Sequence, residues 1–82
     1  MHDSYLITRI ISSVDQICKD NKINKLNKLS LTVNNDSHIN EEELLDELSH
    51  HLDNIVTTSA QINIEKDDIE DQTAIITNIE GE

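Results

Sequence analysis

The first amphipathic segment extends from Ser4 to about Lys19. Its apolar positions fall three and four residues apart, which places them on one side of a helix and leaves polar residues on the other. The members of this apolar face are Ile7, Ile10, Ile11, Val14, Ile17 and Cys18. The spacing therefore predicts an amphipathic first helix.

The next segment changes from helical spacing to strict alternation. In "LNKLSLTV", Leu29, Leu31 and Val33 share one face while polar residues occupy the other, as in a half-buried strand. The following "NNDSHIN" is rich in Asn and Asp, which favour turns. A first strand followed by a turn is predicted here.

A second helix is predicted after this turn and extends to about Asn54. Asn40 and Glu43 have the spacing of a capping box, and acidic residues in the first turn suit the positive end of a helix. The apolar face of this helix consists of Leu44, Leu45, Leu48, Leu52 and Ile55.

Two more strands complete the predicted fold. "AQINIE" alternates over residues 60–65, and "TAIITNIE" forms a third strand in which Ile76 and Ile79 are three apart, a spacing that a bulge would explain. The order is α-β-α-β-β in a single domain over residues 1–82. We expect an α+β fold with two helices on one face of a three-stranded mixed sheet, the first two strands parallel and the last two an antiparallel hairpin.

Composition narrows the functional classes. The 82 residues contain one Cys, no Phe and no Trp, so the core must be aliphatic, and neither an internal disulfide nor a structural zinc site is expected. There is no apolar run of 18 residues and no basic, then apolar, leader at the start. A cytoplasmic protein with no membrane partner is the expectation.

The net charge of −11 is unevenly distributed. Residues 1–28 hold five basic and three acidic side chains, whereas residues 29–82 hold one basic and fourteen acidic ones. Nucleic acid is not an expected partner, because phosphate binding requires a basic surface and the aromatic stacking residues are missing. The acidic part from Leu29 onwards would instead suit a basic partner protein.

Side chains that could support catalysis have simpler structural explanations. Cys18 lies on the apolar face of the first helix, where a buried, inert thiol is expected. The acidic cluster at the start of the second helix is accounted for by capping and solvation, and there is no Gly-rich phosphate loop. We therefore expect no catalytic residues and no enzyme activity.

The histidines differ in their suitability for metal binding. His50 and His51 point about 100° apart on a helix and cannot readily chelate one ion together, and the Asp46 and His50 pair would bind only weakly. His2 is adjacent to Met1, whose amine joins the His2 amide and imidazole nitrogens in short chelate rings. Such nitrogen-rich sets suit Ni(II) or Cu(II). By spacing alone, a histidine in a chain tail is the commoner explanation.

The order of motifs adds context to His2. "MHD" before an Ile-rich helix, then "LSLTV", "AQINIE" and "AIITNIEGE", resembles the HypA/HybF family of nickel chaperones for hydrogenase maturation. The family begins Met-His-Glu and folds as two helices on a three-stranded mixed sheet. The resemblance implies that His2, with backbone nitrogens at Met1 and His2, is the nickel site, and that Asp3 stands where Glu is usual.

This chain differs from the family in one large feature. Family members insert a zinc domain with paired CxxC motifs between the second and third strands, where this chain has only a short acidic connection over residues 66–72. The implied function is a nickel-binding metallochaperone with Ni(II) as transient cargo. Its implied partners are a maturation GTPase and a client nickel enzyme, and a monomer or weak dimer is expected. The alternative is a HypA-like interaction module that does not deliver metal.

Overall fold

A computed structural model describes residues 4–82 and gives the predicted α+β fold. The elements are α1 (Ser4–Asp20), β1 (Leu26–Asn34), α2 (Glu41–His51), β2 (Val56–Asp67) and β3 (Ala74–Gly81). The order α-β-α-β-β and the three-stranded mixed sheet are confirmed. The predicted site residues Met1, His2 and Asp3 lie outside the described residues.

Helix α1 buries the face that its spacing predicts. Ile7, Ile10, Val14 and Cys18 belong to the core, together with Leu6, which the spacing did not include. The helix ends where Lys22 adopts a left-handed φ of 57° and the Ile23 amide donates to the Cys18 carbonyl at 2.8 Å. This late hydrogen bond satisfies a carbonyl that the helix end would leave open.

Strand β1 is the centre of the sheet, whose order is β2-β1-β3. Its alternating residues Leu29, Leu31 and Val33 are buried, as predicted. It pairs with β2 in parallel, also as predicted, and with β3 in antiparallel orientation. The expected hairpin between the last two strands is therefore wrong, because β2 and β3 occupy opposite edges.

The connection between β2 and β3 explains this arrangement. The Asn35 amide donates to the Asp67 carbonyl at 2.9 Å, and the Asn34 side-chain amide donates to the Ile69 carbonyl. The first bond holds the end of β2, and the second holds the start of the connection, against the end of β1. The chain then passes that end and starts β3 on the far side. Side-chain bonds of this kind leave no periodic signal in the sequence.

Three element boundaries differ from the predicted ones. Helix α2 ends at His51 rather than near Asn54, and β2 covers Val56–Asp67 rather than residues 60–65. The connection to β3 consequently consists of residues 68–73, whereas residues 66–72 were predicted. It begins two residues later and ends one residue later than expected. The register of β2 with β1 jumps from Val56 to Gln61, so β2 also includes the exposed polar residues 57–59 and the buried Ala60.

The predicted bulge in β3 is confirmed. The β1–β3 register shifts between Ser30 and Leu31, whose partners are Asn78 and Ile76, so Thr77 is the extra residue. Its hydroxyl donates to the Ser30 carbonyl at 3.2 Å. The bulge places both Ile76 and Ile79 against the core, which their three-residue spacing alone would not allow in a regular strand.

Two local features fix the ends of the remaining elements. The Asn40 side chain accepts a hydrogen bond from the Glu43 amide at 2.8 Å, which confirms the predicted cap of α2. At the end of β3, a Cβ on Gly81 would lie 2.5 Å from the Ile23 side chain and closer still to the Lys25 carbonyl oxygen. Glycine is required there because the backbones approach so closely.

Candidate metal site at the amino terminus

Helix α1 begins at Ser4, immediately after the three residues of the predicted metal site. Met1, His2 and Asp3 therefore precede the first described helical turn, and their role stays a prediction. The helix that follows them and the other possible metal ligands lie within residues 4–82.

The first turn of α1 exposes Ser4 and Tyr5, buries Leu6 and Ile7 in the core, and carries no acidic residue. Tyr5 is 61% exposed, and the Arg9 guanidinium carbon lies 5.7 Å from the centre of its ring. The helix end is positively polarised, and Arg9 adds a full positive charge. This environment disfavours a bare dication and favours a donor set that loses protons when it binds the metal.

Cys18 lies in the core, where it is not placed to bind a metal. Its side chain is completely buried in the core, as the sequence predicts. Burial raises the pKa of the Cys18 thiol, and the nearby Asp15 carboxylate raises it further. Because the thiolate is the nucleophile and the metal ligand, a raised pKa makes this thiol inert.

The adjacent histidines of α2 have their rings in edge-to-face contact. The His50 and His51 rings stand at 84° with their centroids 5.2 Å apart. His51 Nε2 lies 3.3 Å from Glu47 Oε1. Within residues 4–82, no group of three or more His, Cys, Asp or Glu side chains could hold a metal ion.

The acidic start of α2 also has a structural use. The Glu41 carboxylate reaches β2 and accepts a hydrogen bond from the Ile64 amide at 3.2 Å. Together with the Asn40 cap, this bond ties the beginning of α2 to the sheet. The structural explanation predicted for these carboxylates is thus extended by a contact to another element.

Two features near α1 were not part of the sequence prediction. The Tyr5 and Arg9 contact has a recognisable signal, because residues four apart meet on a helix. A small cavity of about 90 Å³ between α1 and the beginning of β3 has none, since its lining combines residues distant in the chain. The lining residues are Leu6, Arg9, Ile10, Ser13, Gln72, Thr73, Ala74 and Ile76.

Neither the helices nor comparisons with known proteins identify a function for this chain. Neither α1 nor α2 is long and apolar enough to cross a membrane. Comparison of the chain with protein-family models, with curated proteins and with solved structures gave no match. The likeness to nickel chaperones consequently rests on the sequence motifs and on the order of helices and strands.

Proposed function

We propose that the protein is a nickel-binding accessory protein that holds Ni(II) at its amino terminus and passes it on without catalysing a reaction. The observation that carries this proposal is His2 placed next to the Met1 amine, directly before the Ser4 start of α1. The order of helices and strands supports it, because it is the order that the resemblance to nickel chaperones implies.

The donor set accounts for the choice of metal. The Met1 amine, the His2 amide nitrogen and the His2 imidazole form short chelate rings, and nitrogen donors in a tetragonal arrangement suit Ni(II). Loss of the amide proton places one negative charge on the donor set and partly neutralises the bound dication. The smaller net positive charge is repelled less by the positively polarised start of α1.

Transfer follows from the same arrangement. An ion held by a terminus and one side chain can be released stepwise, one donor at a time, to a client with better ligands. In this proposal the cargo passes, in the cytoplasm, to a maturation GTPase or to a nickel enzyme such as a hydrogenase. Asp3 supplies a carboxylate beside the site, one methylene shorter than the Glu usual in the family.

The proposal is tested by nickel titration of the untagged protein and of His2→Ala. We expect His2→Ala to weaken nickel binding by at least about a hundredfold, because it removes the imidazole donor itself. The matched control is the double variant His50→Ala and His51→Ala, which removes two exposed imidazoles from α2 and should change the affinity less than about twofold. Equal losses in the two variants would contradict a site at His2.

The pH dependence provides an independent check. Nickel must displace protons from the amine, the amide and the imidazole, so affinity should rise steeply from about pH 6 to about pH 8. Calorimetry in buffers of different ionisation enthalpy would count the released protons. An affinity that does not change over this range would argue against the proposed donor set.

A further inference from the structure

The two edges of the sheet differ in how their backbone groups are covered. Because β1 is central, β2 and β3 each have one side without a neighbouring strand. On the β2 side, the Glu41 carboxylate accepts from the Ile64 amide and the Lys66 ammonium donates to the Ser37 carbonyl. The start of α2 therefore covers one backbone amide of the β2 edge, and the Lys66 side chain links the strand to the loop before α2.

The β3 edge has no comparable cover in residues 4–82. The described hydrogen bonds of β3 join it to β1, link neighbouring side chains within the strand, or pair its end with residues 24–25. Alternate amides and carbonyls of Ala74–Gly81 consequently face away from β1 without a partner among the described residues. An open row of this kind is a template for an additional strand.

The cavity between α1 and β3 adds a place for a side chain. Its apolar lining comes from Leu6, Ile10 and Ile76, and Ala74 and Ile76 belong to the first half of β3. A strand added to β3 points alternate side chains to the helix side of the sheet. One of them would approach this cavity, whose volume of about 90 Å³ suits a small aliphatic group.

Charge decides which kind of strand fits this edge. Residues 67–82 contain six acidic side chains and no Lys or Arg, with acids both before and after the strand. A second copy of β3 would bring the same acids against these acids, and like charges repel. A basic segment gains attraction at both ends of the same strand.

We propose that the β3 edge binds an extended, basic segment of another protein as a fourth strand, with an aliphatic side chain of that segment placed at the cavity beneath α1. The Thr77 bulge and the acidic flanks are devices that keep a sheet edge from pairing with itself. The acidic flanks at the same time select a positively charged partner. This inference is independent of nickel binding and would hold if the amino terminus bound no metal.

The test uses an eight-residue peptide, the length of β3, in which Lys and Val alternate. Two derivatives carry N-methyl groups on alternate residues, one on the odd and one on the even positions, and both keep the charge of the parent. We expect one derivative to bind at least about tenfold more weakly, because its methyl groups face β3 and remove the inter-strand hydrogen bonds. The other should bind within about twofold of the parent. Equal binding of the two derivatives, or no binding of the parent peptide, would overturn the proposal.

Protein variants separate the edge from general attraction between opposite charges. The variant Asp68→Asn, Glu70→Gln and Asp71→Asn removes three acids beside β3. Its matched control, Glu42→Gln, Asp46→Asn and Asp53→Asn, removes three exposed acids elsewhere. We expect about tenfold weaker peptide binding in the first variant only. Equal weakening in both would refute a specific site.

Two further measurements locate the occupant. Amide hydrogen exchange should slow in residues 74–81 when the peptide binds, while exchange in β2 stays unchanged; slowing confined to β2 would overturn the proposal. Sedimentation of the protein alone over a range of concentrations should show a monomer. Dimerisation that the parent peptide cannot displace would assign the edge to a second copy instead.

Discussion

The folded body, residues 4–82, and the three residues before it differ in how their potential metal ligands are used. In the body, Cys18 is buried and Glu41 bonds the Ile64 amide. At the amino terminus, three nitrogen donors are adjacent in the chain, and we propose that they bind nickel. The comparison shows that a residue type is informative about chemistry only after its structural use is known.

The contrast implies that stability and nickel binding can be separated by mutation. Stability comes from an aliphatic core between the helices and one face of the sheet, to which every element contributes. The proposed nickel donors belong to the terminus alone. Changes in the core should therefore affect unfolding, and changes at the terminus should affect metal binding.

The largest expected effect comes from the core. Leu29→Ala removes a completely buried side chain from the central strand and should lower the free energy of unfolding by about 2 to 5 kcal/mol. Ile75→Ala, at a site 48% exposed, is the matched control and should cost less than about 1 kcal/mol. Urea unfolding followed by circular dichroism measures both.

The Leu29→Ala protein also tests the separation directly. Under conditions where it remains folded, its nickel affinity should lie within about twofold of the parent protein, since no proposed donor has changed. A large loss of nickel affinity in the folded variant would show that the core and the terminus are coupled. It would contradict the claim that stability and nickel binding are separable.

A smaller effect is expected from Cys18 at high pH. Burial raises the pKa of its thiol above the ordinary value of 9.0, so the folded protein holds this proton more tightly than the unfolded chain does. The resulting stabilisation is complete below about pH 9 and is lost as the pH rises through the raised pKa. The stability advantage over Cys18→Ala should therefore shrink as the pH rises above about 9. A constant difference between the two proteins would contradict a buried, protonated thiol.

Much of this fold could be predicted from local patterns. The spacing of Ile10 and Val14, the alternation around Leu31 and the Asn40 cap each report a nearby physical requirement, namely burial or capping of a helix end. The edge position of β3 could not be read this way. It depends on bonds from Asn35 to the end of β2 and from Asn34 to the connection, and such long-range contacts have no fixed sequence spacing.

The features around the candidate site also fall into two groups, those that the sequence suggests and those that only the structure shows. The nickel hypothesis for His2 needs both its position beside Met1 and the resemblance of the motif order to nickel chaperones, because position alone favours an ordinary tail residue. The edge cover by Glu41 and the cavity under α1 arise only when distant segments meet. These features required the structure because no local pattern specifies them.

The central claim is that the nickel site is the amino terminus itself, and adding one alanine before Met1 tests it most directly. This change keeps every side chain but moves the amine away from His2 and converts the Met1 nitrogen to an amide. We predict that nickel affinity falls at least about a hundredfold while the unfolding midpoint stays unchanged. Equal nickel affinity for the extended and the native protein would contradict the claim.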